Sequence, residues 1–165
     1  MNFDTHVCEY SKETYPDDRG HLSVLIEDKA LGLSLKESFS KKNVFRGMHI
    51  QRPPFSQLKH IQVVSGIILD FILVLDVDSP DFGKTFTKRI EAGSSTYVIP
   101  RYCAHGFLAL DQSVIRYLCM GKYSEVDELA IQGSLPEVGQ IIFSEKDSLA
   151  IPTSKALDVF KTIKW

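Results

Sequence analysis

Through the middle of the chain, apolar residues alternate with polar ones or gather in short runs, and turn-forming residues separate the segments. Asn43–Gln51, Lys59–Ser65, Ile67–Leu75, Lys84–Glu91, Thr96–Ile99, His105–Ala109 and Val114–Cys119 are short and rich in Ile, Val, Phe and Tyr, the length and composition of strands. Pro53-Pro54, Ser79-Pro80, Gly93-Ser94-Ser95 and Pro100-Arg101 supply the breaks, since proline fixes φ and lacks an N–H while glycine tolerates positive φ. Many short strands at this spacing predict an all-β fold, a sandwich or small barrel of jelly-roll type. Ile67–Leu75 reads IILDFILVL and predicts a central strand covered on both faces. Its one charge, Asp70, needs a buried partner, either a basic neighbour or a polar cavity. Near the end, Ser154–Lys164 sets Ala156, Leu157, Val159, Phe160 and Ile163 at helical spacing and predicts a short packing helix with Ser154 as N-cap. No internal repeat, low-complexity tract or linker interrupts the chain, so residues 1–165 are expected to form a single jelly-roll domain.

The length of 165 residues suits a domain that buries about 70% of its unfolded surface without disulfide staples. Three cysteines, Cys8, Cys103 and Cys119, give neither a disulfide framework nor a zinc knuckle, and a reduced, cytoplasmic setting is expected. The N-terminal stretch MNFDTHVCEYSKETYP is polar and mixed in charge, and no apolar run is long enough to span a membrane, so neither secretion nor a membrane is expected. A formal net charge of −2 argues against nucleic acid as a partner, because neutralising many phosphates calls for a basic excess. That average hides a bias. Lys36–His60 holds six basic residues against one acidic, leaving 13 and 20 elsewhere. Such a run is either a solvated face or a small anion site within an acidic domain.

His49 lies inside that run, in Arg46-Gly47-Met48-His49-Ile50-Gln51, and strand alternation puts Gly47, His49 and Gln51 on one face. A polar face in a strand with apolar flanks predicts a barrel interior open to a ligand. His105 sits in Ile99-Pro100-Arg101-Tyr102-Cys103-Ala104-His105-Gly106-Phe107, a turn feeding a strand. Either histidine taken alone reads equally well as a satisfied structural residue. Metal-binding barrels offer two histidines at i and i+2 and a nearby glutamate. Here the i+2 residue is Gln51, no Glu follows before Lys59, and the local positive charge would repel a cation, so no metal is expected. Metal-free acid–base chemistry needs a histidine base, a carboxylate to orient it and an acid on the opposite side. Asp147 in Ser144-Glu145-Lys146-Asp147, after a strand-like Gln140–Phe143, Tyr117 in mid-strand and Lys59 at a strand start are candidates. Cys103 and Cys119 read as buried small hydrophobes rather than reactive thiols.

Several short motifs occur in one order. Asp17-Asp18-Arg19-Gly20, SKKNVFRGMHIQ, Lys59 after a short loop, Ser79-Pro80-Asp81-Phe82-Gly83, IPRYCAHGF, Tyr117 in a strand that ends in Lys122-Tyr123-Ser124-Glu125, and FSEKDSLAIP span about residues 17–152. In this order they resemble the dTDP-4-dehydrorhamnose 3,5-epimerase family. The resemblance implies a cupin-like jelly roll that acts as a homodimer on a nucleotide-linked 4-keto-6-deoxy sugar, inverting C3, C5 or both, without metal or redox cofactor. It also implies roles: His49 as the general base with Asp147 behind it, Tyr117 as the general acid, and Lys59 and His105 lining the site where a cation can steady an enolate oxygen. Arg19 and Arg46 fall at diphosphate-holding positions and Tyr123 at an aromatic position beside the nucleotide base. Gln51 and Asp70 complete the expected substrate-binding set.

The chain departs from the family pattern at Leu33-Ser34-Leu35-Lys36-Glu37, where a Q-D-N-type stretch is usual, at His21, Leu22 and Val24 after the D-x-R-G element, and at Val74 and Asp76. An I-x-W-P segment before FSEKD is absent or shortened. The chemistry is thus expected to be retained and the substrate grip altered. A 3,4-ketoisomerase is one alternative, since Tyr123-Ser124-Glu125-Val126-Asp127-Glu128 resembles its tyrosine–acid segment, although its H-x-H pair is H-x-Q here. A noncatalytic sugar-binding barrel is another.

Overall fold

The computed structural model describes residues 10–165, so Cys8 and most of the polar N-terminal stretch lie outside the described residues. Eleven strands and two short α-helices follow in order, with one 3-10 turn at Glu125–Asp127: β1 Glu13–Asp17, β2 Gly20–Asp28, β3 Leu33–Ser40, β4 Phe45–Gln51, β5 Leu58–Ser65, β6 Ile67–Val74, β7 Thr85–Glu91, β8 Tyr97–Ile99, β9 Cys103–Ala109, β10 Ser113–Met120, β11 Glu128–Ala130, α1 Glu145–Ser148 and α2 Thr153–Phe160. Antiparallel pairing builds a six-stranded sheet, β1-β2-β3-β10-β5-β8, and a five-stranded sheet, β11-β4-β9-β6-β7. The two sheets face each other, and the fold is the all-β, cupin-like jelly roll with a short C-terminal helix.

Apolar packing closes one end of the space between the sheets and leaves the other open. Val63 and Ile115 of one sheet meet Ile68, Ile90, Phe107 and Ala109 of the other, and Ile61 and Ile99 meet Val74 and Cys103. Tyr117 packs against both clusters, so its ring forms part of the floor of the open end. A third cluster, with Phe45, Met48, Phe71, Leu73 and Leu108, lies with Ala156 and Phe160 of α2 and covers the outer face of the five-stranded sheet. β6 therefore runs between β7 and β9 with nearly all its side chains covered, as its apolar run predicts.

The strand pattern did not reveal β1, β2 and β3, and the reason is physical. The inward positions of β3 are Ser34, Lys36, Ser38 and Ser40, while Leu33, Leu35 and Phe39 face outward. The strand lines a wet space, so its polar and apolar faces are exchanged relative to an ordinary core strand. The C-terminal helix is displaced from its expected span: it begins at Thr153, ends at Phe160, and has Pro152 rather than Ser154 at the N-cap position. Gln140–Phe143 forms no strand; Ile142 makes only an isolated bridge to Val44.

Candidate active site

A cavity of about 290 Å³ opens between the sheets, lined by Arg19, Leu22, Lys36, Arg46, His49, Gln57, Lys59, His105, Phe107, Tyr117, Cys119, Tyr123 and Glu128. Alternation delivers most of these side chains. Tyr117 and Cys119 alternate on β10, His105 and Phe107 on β9, and Lys59 lies across from Cys119 in register.

β4 is the exception, and a bulge explains it. Arg46 pairs with Phe107 and His49 with His105, so three steps along β4 match two along β9. The extra residue turns Arg46 and His49 to the same side, which strict alternation from His49 denies to Arg46. Gly47 and Gly106 permit the close approach: a Cβ on Gly47, at φ 107, would lie 2.6 Å from the Gly106 Cα, and one on Gly106 would lie 2.8 Å from the Arg46 oxygen.

His49 Nε2 lies 2.7 Å from Asp147 Oδ1. Asp147 comes from α1, whose N-cap Ser144 accepts the Asp147 backbone N–H through its hydroxyl at 3.0 Å. The second oxygen of Asp147 accepts Arg19 Nη1 at 3.0 Å, and Arg19 also pairs with Asp17. Burial works to raise the Asp147 pKa, yet hydrogen bonds from His49 and Ser144 and the charges of His49 and Arg19 hold it below the ordinary value. Burial lowers the His49 pKa below the ordinary 6.5; Asp147 opposes this, and the charges of Lys59 and Lys146 add to it. At neutral pH the ring is an uncharged base. A proton on Nε2, donated to Asp147, leaves the lone pair on Nδ1.

Tyr117 reaches the cavity from the opposite sheet, and its hydroxyl lies 2.7 Å from Ser38 Oγ. Burial raises its pKa, although Ser38 and the charge of Arg46 act the other way, so it stays protonated and can donate. His105 Nε2 lies 2.7 Å from Asp70 Oδ1 in a buried pair. Asp70 thus has a basic neighbour and does not itself line the cavity. Gln51 does not line it either: its side chain is buried and accepts the Ser124 backbone N–H at 2.9 Å, which anchors the segment after Tyr123. Of the expected set, His49, Tyr117, Lys59, Arg19, Arg46, His105 and Tyr123 share the cavity wall, while Asp147 and Asp70 stand behind the two histidines.

Six residues on the wall escaped the sequence reading as site residues: Leu22, Lys36, Gln57, Phe107, Cys119 and Glu128. The ammonium of Lys36 lies 5.4 Å from the Tyr123 ring centre. The Glu128 carboxylate accepts the Tyr123 hydroxyl at 3.0 Å and pairs with Lys146. The basic surplus of Lys36–His60 and the acid run after Tyr123 were the available signals. Arg46 donates only to neutral oxygens, those of Ser40, Phe39 and His21. Among the described residues no carboxylate forms an ion pair with Lys36, Arg46 or Lys59, so the cavity carries positive charge that a bound anion would balance. Among the described residues no group of three His, Cys, Asp or Glu side chains is placed to hold a metal ion. Cys103 and Cys119 are buried and free, and burial together with Asp76 pushes the Cys103 thiol up to about 12, far from thiolate chemistry at neutral pH. No helix among the described residues is long and apolar enough to cross a membrane.

A family model described as dTDP-4-dehydrorhamnose 3,5-epimerase matches residues 6–154. The chain is 31% identical over 126 residues to the enzyme of that name from Mycolicibacterium smegmatis, covering 72% of this chain and 63% of that one. It is 30% identical over 154 residues to the one from Methanothermobacter thermautotrophicus, covering 82% and 83%. The crystal structure of the Sulfolobus tokodaii enzyme of the same name superposes with a TM-score of 0.70 at 31% identity, over 86% of this chain and 87% of that one.

Proposed function

The chain belongs to the dTDP-4-dehydrorhamnose 3,5-epimerase family, and from that we propose that it epimerises a dTDP-linked 4-keto-6-deoxy sugar at C3, C5 or both, through an enolate. One observation carries the reading: a neutral histidine held on a buried carboxylate, His49 on Asp147 at 2.7 Å, faces a cavity that a protonated Tyr117 enters from the other sheet. A base on one wall and an acid on the other are what inversion at carbon needs, since the proton must leave one face and return to the other.

The C4 ketone acidifies the hydrogens on C3 and C5. His49 Nδ1 takes one of them, the C–H electron pair moves into the enolate, and negative charge grows on O4. Lys59 supplies positive charge for that oxygen, and His105 lines the wall beside it. Tyr117 then donates its proton to the opposite face of the carbon. Base, acid and oxyanion stabiliser all come from side chains, so no metal or redox cofactor enters the proposed route. Arg19, Arg46 and Lys36 bind the diphosphate, with guanidinium forks suited to phosphate oxygens, and Tyr123 offers a ring beside the base. The dyad favours catalysis over a passive sugar-binding barrel. Gln51, turned away to Ser124, leaves His49 without the second ligand-facing group of an H-x-H pair, which favours epimerisation over 3,4-ketoisomerisation. The apolar outer residues Leu33 and Leu35 of β3 are only half-buried and support a homodimer.

The test is proton NMR in deuterium oxide with a panel of nucleotide-linked 4-keto sugars. Deuterium is expected at C3, C5 or both of a dTDP-4-keto-6-deoxyhexose. Wild-type protein that labels none of the panel overturns the reading.

A further inference from the structure

On the epimerase reading, each inversion leaves the site out of its starting state: His49 holds the proton taken from carbon, and Tyr117 has lost its own. Before the next turnover His49 must discharge, and its Nε2 side is closed. That nitrogen is fixed on Asp147, whose other oxygen is taken by Arg19 and whose side chain is fully buried. The proton arrives on the other nitrogen, Nδ1.

Glu128 faces that nitrogen. Its Oε1 lies 4.0 Å from His49 Nδ1, while its Oε2 is occupied by the Lys146 ammonium and the Tyr123 hydroxyl. Lys146 and Tyr123 are both about half-exposed, so the carboxylate joins the base to bulk water. Five charged groups surround the ring: Asp147 and Lys146 of α1, Arg19 before β2, Lys59 of β5 and Glu128 of β11. Of these only the two carboxylates can accept a proton, and Asp147 has both oxygens engaged. Lys146 is the chain neighbour of Asp147, so α1 fixes one carboxylate directly and braces the other.

We propose that Glu128 is the relay residue that carries the abstracted proton from His49 Nδ1 to solvent. The substrate C–H bond breaks, its electrons enter the enolate and the proton binds Nδ1. The new N–H then passes its proton to Glu128 Oε1, across a gap that a small ring rotation or one bridging water closes. The carboxyl releases that proton to water at the cavity mouth. Lys146 keeps the carboxylate from retaining it, and Tyr117 regains a proton from solvent, so protons balance over the cycle.

The test compares the wild type with Glu128→Gln and Glu128→Asp at low buffer concentration. In the Gln variant kcat is expected to fall roughly 10–100-fold with KM little changed, and added imidazole buffer restores it, as no buffer restores a misfolded site. In deuterium oxide the same variant returns more of the original hydrogen to the substrate, because the proton lingers on His49. The Asp variant lies between the two. A Gln variant with wild-type kcat at low buffer, or a loss that buffer leaves unchanged, overturns the relay while wild-type exchange upholds the epimerase reading. Wild-type protein that exchanges no hydrogen removes both.

Discussion

Among the described residues, two imidazole–carboxylate pairs make the same contact, Nε2 to Oδ1 at 2.7 Å, in opposite surroundings. His105 and Asp70 sit on adjacent strands of one sheet with 5% and 4% of their side chains exposed. His49 and Asp147 join a strand to a short helix, and His49 keeps 25% exposure while Asp147 keeps none. Distance is therefore silent about role. A sealed pair stabilises a shape; a pair with one open nitrogen, a guanidinium behind the carboxylate and a second carboxylate ahead of the ring can accept and pass a proton.

The widest separation should appear in activity. In His49→Ala, solvent deuterium uptake by a 4-keto sugar is expected to fall on the order of 10³-fold, with stability lowered by only about 1–2 kcal/mol, because Asp147 retains Arg19 and its N-cap. A denaturation midpoint shifted as far as that of His105→Ala would break the contrast. In His105→Ala the burden moves to folding: Asp70 is left buried without its partner, and urea denaturation is expected to show a loss of about 3–5 kcal/mol. Adding Asp70→Asn should recover part of it, and a double-mutant cycle measures how much.

Acid titration of the rate comes next. Since the folded His49 pKa lies below 6.5, the base is free at neutral pH, and activity is expected to fall only as pH drops through that lowered value. Asp147→Asn removes the group that holds the pKa up, so the acid limb of kcat should move to still lower pH on a rate reduced about 10²-fold. A limb that moves to higher pH would contradict the orienting role. The smallest effect is expected from Lys36→Ala: KM rises about 10-fold, the worth of one charge-assisted contact, with kcat preserved. A change in kcat alone would place Lys36 at the reacting carbon instead.

Much of the candidate site was legible because its side chains sit in short stretches: RGMHIQ, IPRYCAHGF, FSEKD and IILDFILVL hold the two pairs, and the charge surplus around Arg46 marked the positively charged wall. What escaped notice did so for identifiable reasons. β3 places serines and a lysine where a core strand places valines, so hydrophobic periodicity passed over it and with it Lys36. Alternation set Gln51 beside His49 as a ligand-facing group, yet the segment after Tyr123 covers it. Glu128 lies in an acid run whose direction depends on β11 pairing with β4 in register, a contact between distant parts of the chain. Asp70 and His105 lie far apart in sequence and meet because β6 and β9 are neighbours.

The bulge in β4 has a metrical meaning. If Arg46 holds the phosphate and His49 attacks the sugar, the two ends of the substrate are gauged by one piece of covalent chain. Three residues of strand span at most about 10 Å. Breathing between the sheets can widen or narrow the mouth, but it cannot lengthen that interval. The strand is then a ruler: a sugar attached through a tail of the wrong length would present the wrong carbon to the base, however well each end bound by itself.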